Sequence, residues 1–383
     1  MEEKNALLQI RDQLDVLDHQ ITELYKQRMD LCEKVAEYKI ETGKAVFDPV
    51  REEQKLDTVQ SYLDTDFDRK AIRELYQQMM TISRRRQFGI LSAHGKTFHA
   101  DFEKLDAIPK RGKRVVYQGV EGAYAHLAAR QCFGTETALR HVKTWKDAMD
   151  EVVEGEADYA VLPIENSSHG AVSDIFDLLV RYPALAIVEE VDLHVAHALM
   201  SVAGASMDGL KRIYSHPQAL GQCAAFLEAH PDIEAVPVLN TAVAAAYVRD
   251  HQDPSIAALA SELSAELYGL TILERSVNQE KSNTTRFIVL GRERVYTADA
   301  EKISICFETA HKPGALYNAL GNFIFNDVNM LMIQSRPIPE KPFEYRFFID
   351  LEGNLSMPNV INALAGLEDQ ITSLRILGNY GKE

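Results

Sequence analysis

The chain has 383 residues, 46% of them hydrophobic and 26% charged, the composition of a soluble globular protein of roughly two to four domains. Its formal net charge of -16 argues against nucleic acid as the main partner, and no apolar run reaches the ~18–20 residues of a membrane helix. The acidic, polar N-terminus is unlike a signal peptide. Cys32, Cys132, Cys223 and Cys306 are too far apart for a disulfide framework or a zinc site, so a reduced, cytoplasmic protein is expected.

Leu7, Ile10, Leu14, Leu17, Ile21 and Leu24 recur at alternating steps of three and four, the seam of a helix that packs against another helix. Arg28 takes the next seam position before Leu31, Val35 and Tyr38 resume it. The pattern predicts one helix over about residues 5–41, roughly 55 Å long at 1.5 Å per residue, so a partner chain is needed to cover its stripe. Gly43 ends it. Asp48 and Pro49 are the N-cap and first position of a second helix reaching about Leu63. A third helix runs from about Asp68 to Ser92, with Ile72, Leu75, Tyr76, Met79, Met80 and Ile82 on its apolar face. Residues 1–92 thus read as an all-α three-helix bundle, with 15 Lys+Arg against 18 Asp+Glu up to Gly89 and no basic recognition helix.

Residues 93–112 lack periodicity and read as a linker. Short strands then alternate with helices across 113–291: Arg114–Gln118, Tyr159–Pro163, Ala186–Val191, Ala198–Val202, Arg212–Tyr214, Ala235–Pro237, Ile256–Leu259 and Arg286–Leu290. That is an α/β module, expected as two lobes around a cleft. Residues 300–380 follow the order strand, helix, strand, strand, helix, strand, which fits an α+β ferredoxin-like sandwich.

A cation on a helix seam is costly unless an anion meets it. Arg11, Arg28, Lys39 and Arg51 supply cations, Asp48 and Glu52 sit one turn apart, and Ser83 and Gln87 share a face of the third helix. There is no nucleophile–base pair and no metal cluster. Such a set suits a reaction that compacts a flexible anion and stabilises developing charge without proton transfer. With these eight residues in order, residues 1–92 resemble the all-helical chorismate mutase domain. The resemblance implies an intertwined dimer and a Claisen rearrangement of chorismate to prephenate. It implies that Arg28, Arg51 and the second copy's Arg11 hold the carboxylates, that Lys39 and Gln87 donate to the ether oxygen, and that Glu52 with Asp48 receives the ring hydroxyl.

In the α/β module, polar helix starts follow strand ends at Gly119–His126, Pro163–Ser168 and Ser215–Gln218, with Gln222 one turn on, and Thr241 as the expected cap of an Ala-rich helix. Together they favour a cleft for a small anion. The motifs GVEGAYAHLAA, VLPIENSSHG, YSHPQALGQC and NTTRF resemble prephenate dehydratase, though Ala125 stands where many relatives carry Ser. The resemblance implies a two-lobed, periplasmic-binding-protein-like fold and the loss of water and carbon dioxide from prephenate. Thr285 would be the positioned donor, with Glu165, Asn166, Ser215, Gln222 and Arg286 binding substrate. His194 and His197 read as structural, Ser215-His216 as unsuited to a hydrolase triad, and Arg84-Arg85-Arg86 as a solvated helix end.

The last module resembles an ACT regulatory domain on Gly314-Ala315-Leu316 and Gln334-Ser335-Arg336-Pro337, with Gln334 replacing the usual Glu. The resemblance implies a phenylalanine site. The three resemblances together imply a bifunctional, homodimeric or larger enzyme of phenylalanine biosynthesis, feedback-inhibited by phenylalanine and needing no cofactor or metal. Two rival readings stand beside it: a dehydratase whose helical domain only dimerises, and a ligand-sensing regulator.

Overall fold

The computed structural model describes residues 2–95 and 98–382, with side chains from Ala6 onward. The chain forms two compact units, one of residues Met1–Ala100, Phe307–Met330 and Leu355–Leu374, the other of Asp101–Cys306, Leu331–Asn354 and Arg375–Glu383.

The first unit is helical. It opens with α1 (Glu2–Thr42), α2 (Pro49–Gln60) and α3 (Asp66–Ala93). Asp48 caps α2 as expected, its carboxylate accepting from the Arg51 backbone N–H at 3.0 Å. Helix α3 starts two residues earlier than predicted because Thr65 caps it, accepting from the Asp68 N–H at 3.1 Å. Helices α1 and α2 both pack on α3, and Ala36, Leu56, Val59 and Met80 are buried. The rest of the α1 stripe is not covered: Ile21 is 63% and Leu24 65% exposed. Leu14, Leu17 and Leu31 on the same stripe are likewise exposed. Two later helices, α11 (Ala315–Ile324) and α12 (Pro358–Glu368), belong to this unit, α12 against α3 and α11 against α12.

The second unit holds two main sheets. Its elements in order are β1 (Glu103–Leu105), β2 (Arg114–Gln118), α4 (Tyr124–Phe133), β3 (Ala138–Val142), α5 (Trp145–Glu154), β4 (Tyr159–Asn166), β5 (Gly170–Ala171), α6 (Ser173–Arg181) and β6 (Ala186–His194). There follow β7 (Ala198–Ser201), β8 (Arg212–Ser215), α7 (Pro217–Gln222), α8 (Ala224–Glu228), β9 (Glu234–Pro237), α9 (Thr241–His251), β10 (Ile256–Ala260), α10 (Glu262–Tyr268), β11 (Thr271–Glu274), β12 (Thr284–Gly291) and β13 (Val295–Thr297). The last strands are β14 (Lys302–Glu308), β15 (Met330–Ile338), β16 (Lys341–Glu352) and β17 (Ser373–Tyr380).

The larger sheet runs β15-β16-β14-β17-β6-β12-β4-β2-β3, with β5 beside β4. The strands of the last module therefore continue the sheet of the α/β module, joined where Gly378 of β17 pairs with Ile187 of β6. One core spans both, with Leu162, Ile175, Ile288, Phe348 and Leu377 in it. The smaller sheet runs β11-β7-β10-β8-β9; β10 is buried along its whole length, as its unbroken apolar run IAALA requires. The expected linker is not all coil, since Glu103–Leu105 pairs in parallel with Val295–Thr297. Among the described residues no helix is long and apolar enough to cross a membrane, and the four cysteines form no disulfide.

Candidate active sites

In the helical unit α1 supplies Arg28 and Lys39. The Arg28 guanidinium, half-buried, donates to Ser83 Oγ at 2.6 Å, which joins the seam cation to α3. Lys39 donates to the Val46 carbonyl at 2.6 Å. Burial lowers its pKa, and the negative charges of Asp48 and Glu52 oppose that shift. Asp48 spends one carboxylate oxygen on its cap. Gln87 is buried, and its Oε1 has no hydrogen-bond partner within the described residues. A buried amide oxygen without a partner costs about 1–3 kcal/mol, which a hydrogen bond from water or a ligand would relieve. Since O and N of an amide are assigned from the network around them, either end can serve that contact. Arg11 and Arg51 are exposed and make no ion pair among the described residues. The structure thus gathers six of the eight predicted residues around one end of the bundle and leaves two cations in solvent.

The triple arginine is not a solvated helix end. Arg84 is 8% exposed and forms a salt bridge with Glu52. Its Nη2 donates to Thr81 Oγ1 at 2.9 Å, and its guanidinium carbon lies 5.1 Å from the centroid of the Phe47 ring. Arg85 donates to the Phe325 carbonyl, and Arg86 pairs with Glu33. The signal was position: Arg84 flanks Ser83 and lies one turn before Gln87.

In the sheet unit a cleft of about 470 Å³ opens, within the roughly 300–1,000 Å³ of small-molecule sites. Asn166, Gln222 and Thr285 line it. Asn166 Nδ2 donates to Thr285 Oγ1 at 2.9 Å and to Asn283 Oδ1 at 2.8 Å, while its Oδ1 accepts from the backbone N–H of Ser168 and His169 at 3.0 and 3.1 Å. Asn283 Nδ2 donates to Gln222 Oε1 at 3.1 Å, and the same oxygen meets His197 Nε2 at 2.8 Å. His197 is buried, and burial lowers its pKa; its Nδ1 lies 2.8 Å from the Tyr124 hydroxyl, which donates to the Ala196 carbonyl at 2.8 Å. His197, read as structural, therefore lines the cleft and orients Gln222. With Asn166 donating to its oxygen, Thr285 keeps its own hydroxyl hydrogen for a ligand.

Among the described residues no Lys or Arg lines the cleft. Four helices of nine or more residues begin there instead: α4 at Ala123, α5 at Trp145, α6 after Val172 and α9 at Asn240. Helix N-termini carry partial positive charge and unpaired N–H groups, so they can hold an anion without a cationic side chain. Asn240 is the α9 cap in place of Thr241, accepting from the Val243 N–H at 2.7 Å. Gly122 has φ +85°, and a Cβ there would come within 2.6 Å of Ser264 Oγ, so the turn before α4 requires glycine. Trp145, the one tryptophan, lines the cleft with a buried indole N–H that has no partner among the described residues.

Three predicted substrate contacts fall elsewhere. Side chains alternate along a strand, so Thr285 and Phe287 face the cleft and Arg286 faces away. There Arg286 pairs with Glu165 at 2.7 Å and with Glu190 at 3.2 Å, and Glu190 also binds Lys302 of β14 at 2.6 Å. Glu165 and Arg286 thus belong to a charge network on the side of β12 away from the cleft. Ser215 is fully buried and donates to the Leu259 carbonyl at 2.7 Å, tying β8 to β10. In the last module Gly314 has φ +77° and caps α11, where Ala315 and Leu316 begin the helix. Gln334, Ser335, Arg336 and Pro337 lie on β15, with Arg336 held by Asp177 at 2.6 Å.

Residues 115–295 match the family model described as prephenate dehydratase, and residues 10–88 the one described as chorismate mutase type II. A bifunctional chorismate mutase/prephenate dehydratase of Escherichia coli (strain K12) is 32% identical, over 100% of this chain and 98% of that protein. Among solved structures, a prephenate dehydratase in complex with L-Phe from Arthrobacter aurescens is 30% identical with a TM-score of 0.65, over 70% of this chain and 89% of that one. GqqA, described as a novel type of quorum quenching acylase, is 32% identical with a TM-score of 0.66, over 71% of this chain and 98% of that one. The Thr285 hydroxyl in the cleft meets an amide and the buried Ser215 hydroxyl outside it a carbonyl, so among the described residues neither is paired with a base. Both domains are present in order and the likeness spans the whole chain, so this chain belongs to the bifunctional chorismate mutase/prephenate dehydratases.

Proposed function

We propose that the helical unit binds chorismate with Arg28, Arg51 and Arg11 supplied by a second copy of the chain. Lys39 and Gln87 donate to the ether oxygen as its bond to carbon breaks, and Glu52 beside Asp48 receives the ring hydroxyl. A Claisen rearrangement moves no proton, so it asks for charge stabilisation and compaction alone. The observation that carries this reading is Gln87, a buried amide with an unmet hydrogen-bonding atom on the same helix face as the Arg28-bound Ser83.

Prephenate then enters the cleft. Its ring hydroxyl leaves with one proton as water while the ring carboxylate departs as carbon dioxide, and the ring becomes aromatic. Thr285 donates a hydrogen bond to the departing hydroxyl, Asn166 and Gln222 hold that side of the ligand, and the four helix starts hold its carboxylates.

A second copy covers the α1 stripe and places its Arg11 in the first site. Leu17→Glu, on the 52% exposed Leu17, is expected to give a monomer by analytical ultracentrifugation with mutase activity lost along with the dimer. A monomer with full mutase activity would end the shared-site reading. The module of residues 300–380 is read as an ACT domain. Its strand order β15-β16-β14-β17 is the 2-3-1-4 order of a ferredoxin-like sheet, and the Arthrobacter relative binds L-Phe. Phenylalanine is therefore the expected effector, with Gly314–Leu316 and Gln334–Pro337 as its site. Rates of both reactions unchanged by millimolar phenylalanine would reject this. The chain as a whole works in the cytoplasm, where four cysteines without a disulfide fit the redox state.

A further inference from the structure

The mutase reading leaves one feature of the helical site unused, the buried pair of Arg84 and Glu52. We propose that Arg84 is a positioning residue of the mutase site, fixing the Glu52 carboxylate for the substrate hydroxyl and cancelling its charge toward a dianionic substrate. The proposal rests on the reading of Glu52 as the hydroxyl acceptor.

A carboxylate inside a site for a dianion is a liability, because like charges in a partly buried site repel strongly. Glu52 needs a cation that the substrate will not take from it. Arg28 bonds to Ser83, Lys39 to the Val46 carbonyl, and Arg51 is exposed, and the mutase reading reserves all three for the substrate. Arg84 is the cation that pairs with Glu52 among the described residues, its Nη1 meeting both carboxylate oxygens. Thr81 and the Phe47 ring hold the guanidinium from two further sides. A guanidinium fixed in this way is a rigid fork that a lysine cannot reproduce. An ionised carboxylate has about four lone-pair sites, so Glu52 can keep Arg84 and still accept the hydroxyl. Placement agrees: Arg84 follows Ser83, precedes Gln87 by one turn, and faces α2.

A latch that merely ties α2 to α3 would show the same contacts, so the test must separate charge from scaffolding. Chorismate kinetics are measured on the full chain, with prephenate dehydratase activity as the internal control of folding. Arg84→Met is expected to raise KM about tenfold and lower kcat, while Arg84→Lys keeps KM within about threefold and lowers kcat. In the double variant Arg84→Met/Glu52→Gln no uncompensated carboxylate remains, so KM returns to within about threefold of Glu52→Gln alone. A KM that stays as high as in Arg84→Met marks a latch and overturns the proposal. Wild-type kcat and KM in Arg84→Lys also overturn it, and that variant decides the matter if Arg84→Met loses dehydratase activity as well. A Glu52→Gln enzyme with unchanged kcat would instead overturn the reading of Glu52 itself.

Discussion

Arg28→Ala is expected to lower mutase kcat/KM by about 10²–10³-fold and to leave dehydratase activity within about twofold. Arg28 sits half-buried on the α1 seam, with its guanidinium on Ser83. A charge-assisted bond from such a guanidinium to a substrate carboxylate is worth about 3–5 kcal/mol once its partner is left unpaired. At 1.36 kcal/mol per factor of ten, that is two to three or more orders of magnitude. The dehydratase cleft is built from a different unit of the chain and shares no residue with the seam. Initial rates with chorismate and with prephenate, on the same preparation, check both halves of the expectation. Equal loss of both activities in a folded variant would contradict independent sites.

Thr285→Val is the counterpart for the second reaction. Valine keeps the shape and removes the hydroxyl, so the substrate loses its donor and Asn166 Nδ2 loses one acceptor. Loss of a positioned proton donor costs about 10²–10⁴-fold, and a drop of about 10³-fold in kcat for phenylpyruvate formation is expected, with KM little changed. Thr285→Ser retains the hydroxyl and should keep most of the rate. A Thr285→Val enzyme within tenfold of wild type would remove Thr285 from the chemistry.

Much of the architecture was legible because its signals are local. The three-and-four spacing in α1, the Asp48-Pro49 start of α2 and the short apolar strands each encode structure within a few residues. What escaped depends on distant pairing. The β1 strand is three residues that mean nothing until β13 lies beside them. Nothing near Lys302–Glu308 or Ser373–Tyr380 announces that the last module's strands will continue the sheet of the α/β module.

The sites divide along the same line. Arg28, Ser83 and Gln87 could be placed on helix faces by counting. Glu165 and Arg286 were drawn toward the substrate by their motifs, yet strand alternation turns them from Thr285 to the opposite face, where they pair with each other. His197 was read as structural, Asn283 entered only as part of its motif and Trp145 was missed, because the cleft is assembled from elements far apart in the chain. Arg84 was misread because a run of three arginines looks solvated until Glu52 and Phe47 close over the first of them.

The central claim is that one chain holds two separate active sites in two units. It is tested most directly by supplying chorismate to purified Arg28→Ala, to purified Thr285→Val, and to an equal mixture of both, and following phenylpyruvate. Neither variant alone should form it at more than a few per cent of the wild-type rate, roughly as the expected losses of 10² or more dictate. The mixture should recover a substantial share of that rate, because prephenate made by one protein reaches the intact cleft of the other. A mixture as inactive as its components would contradict the account.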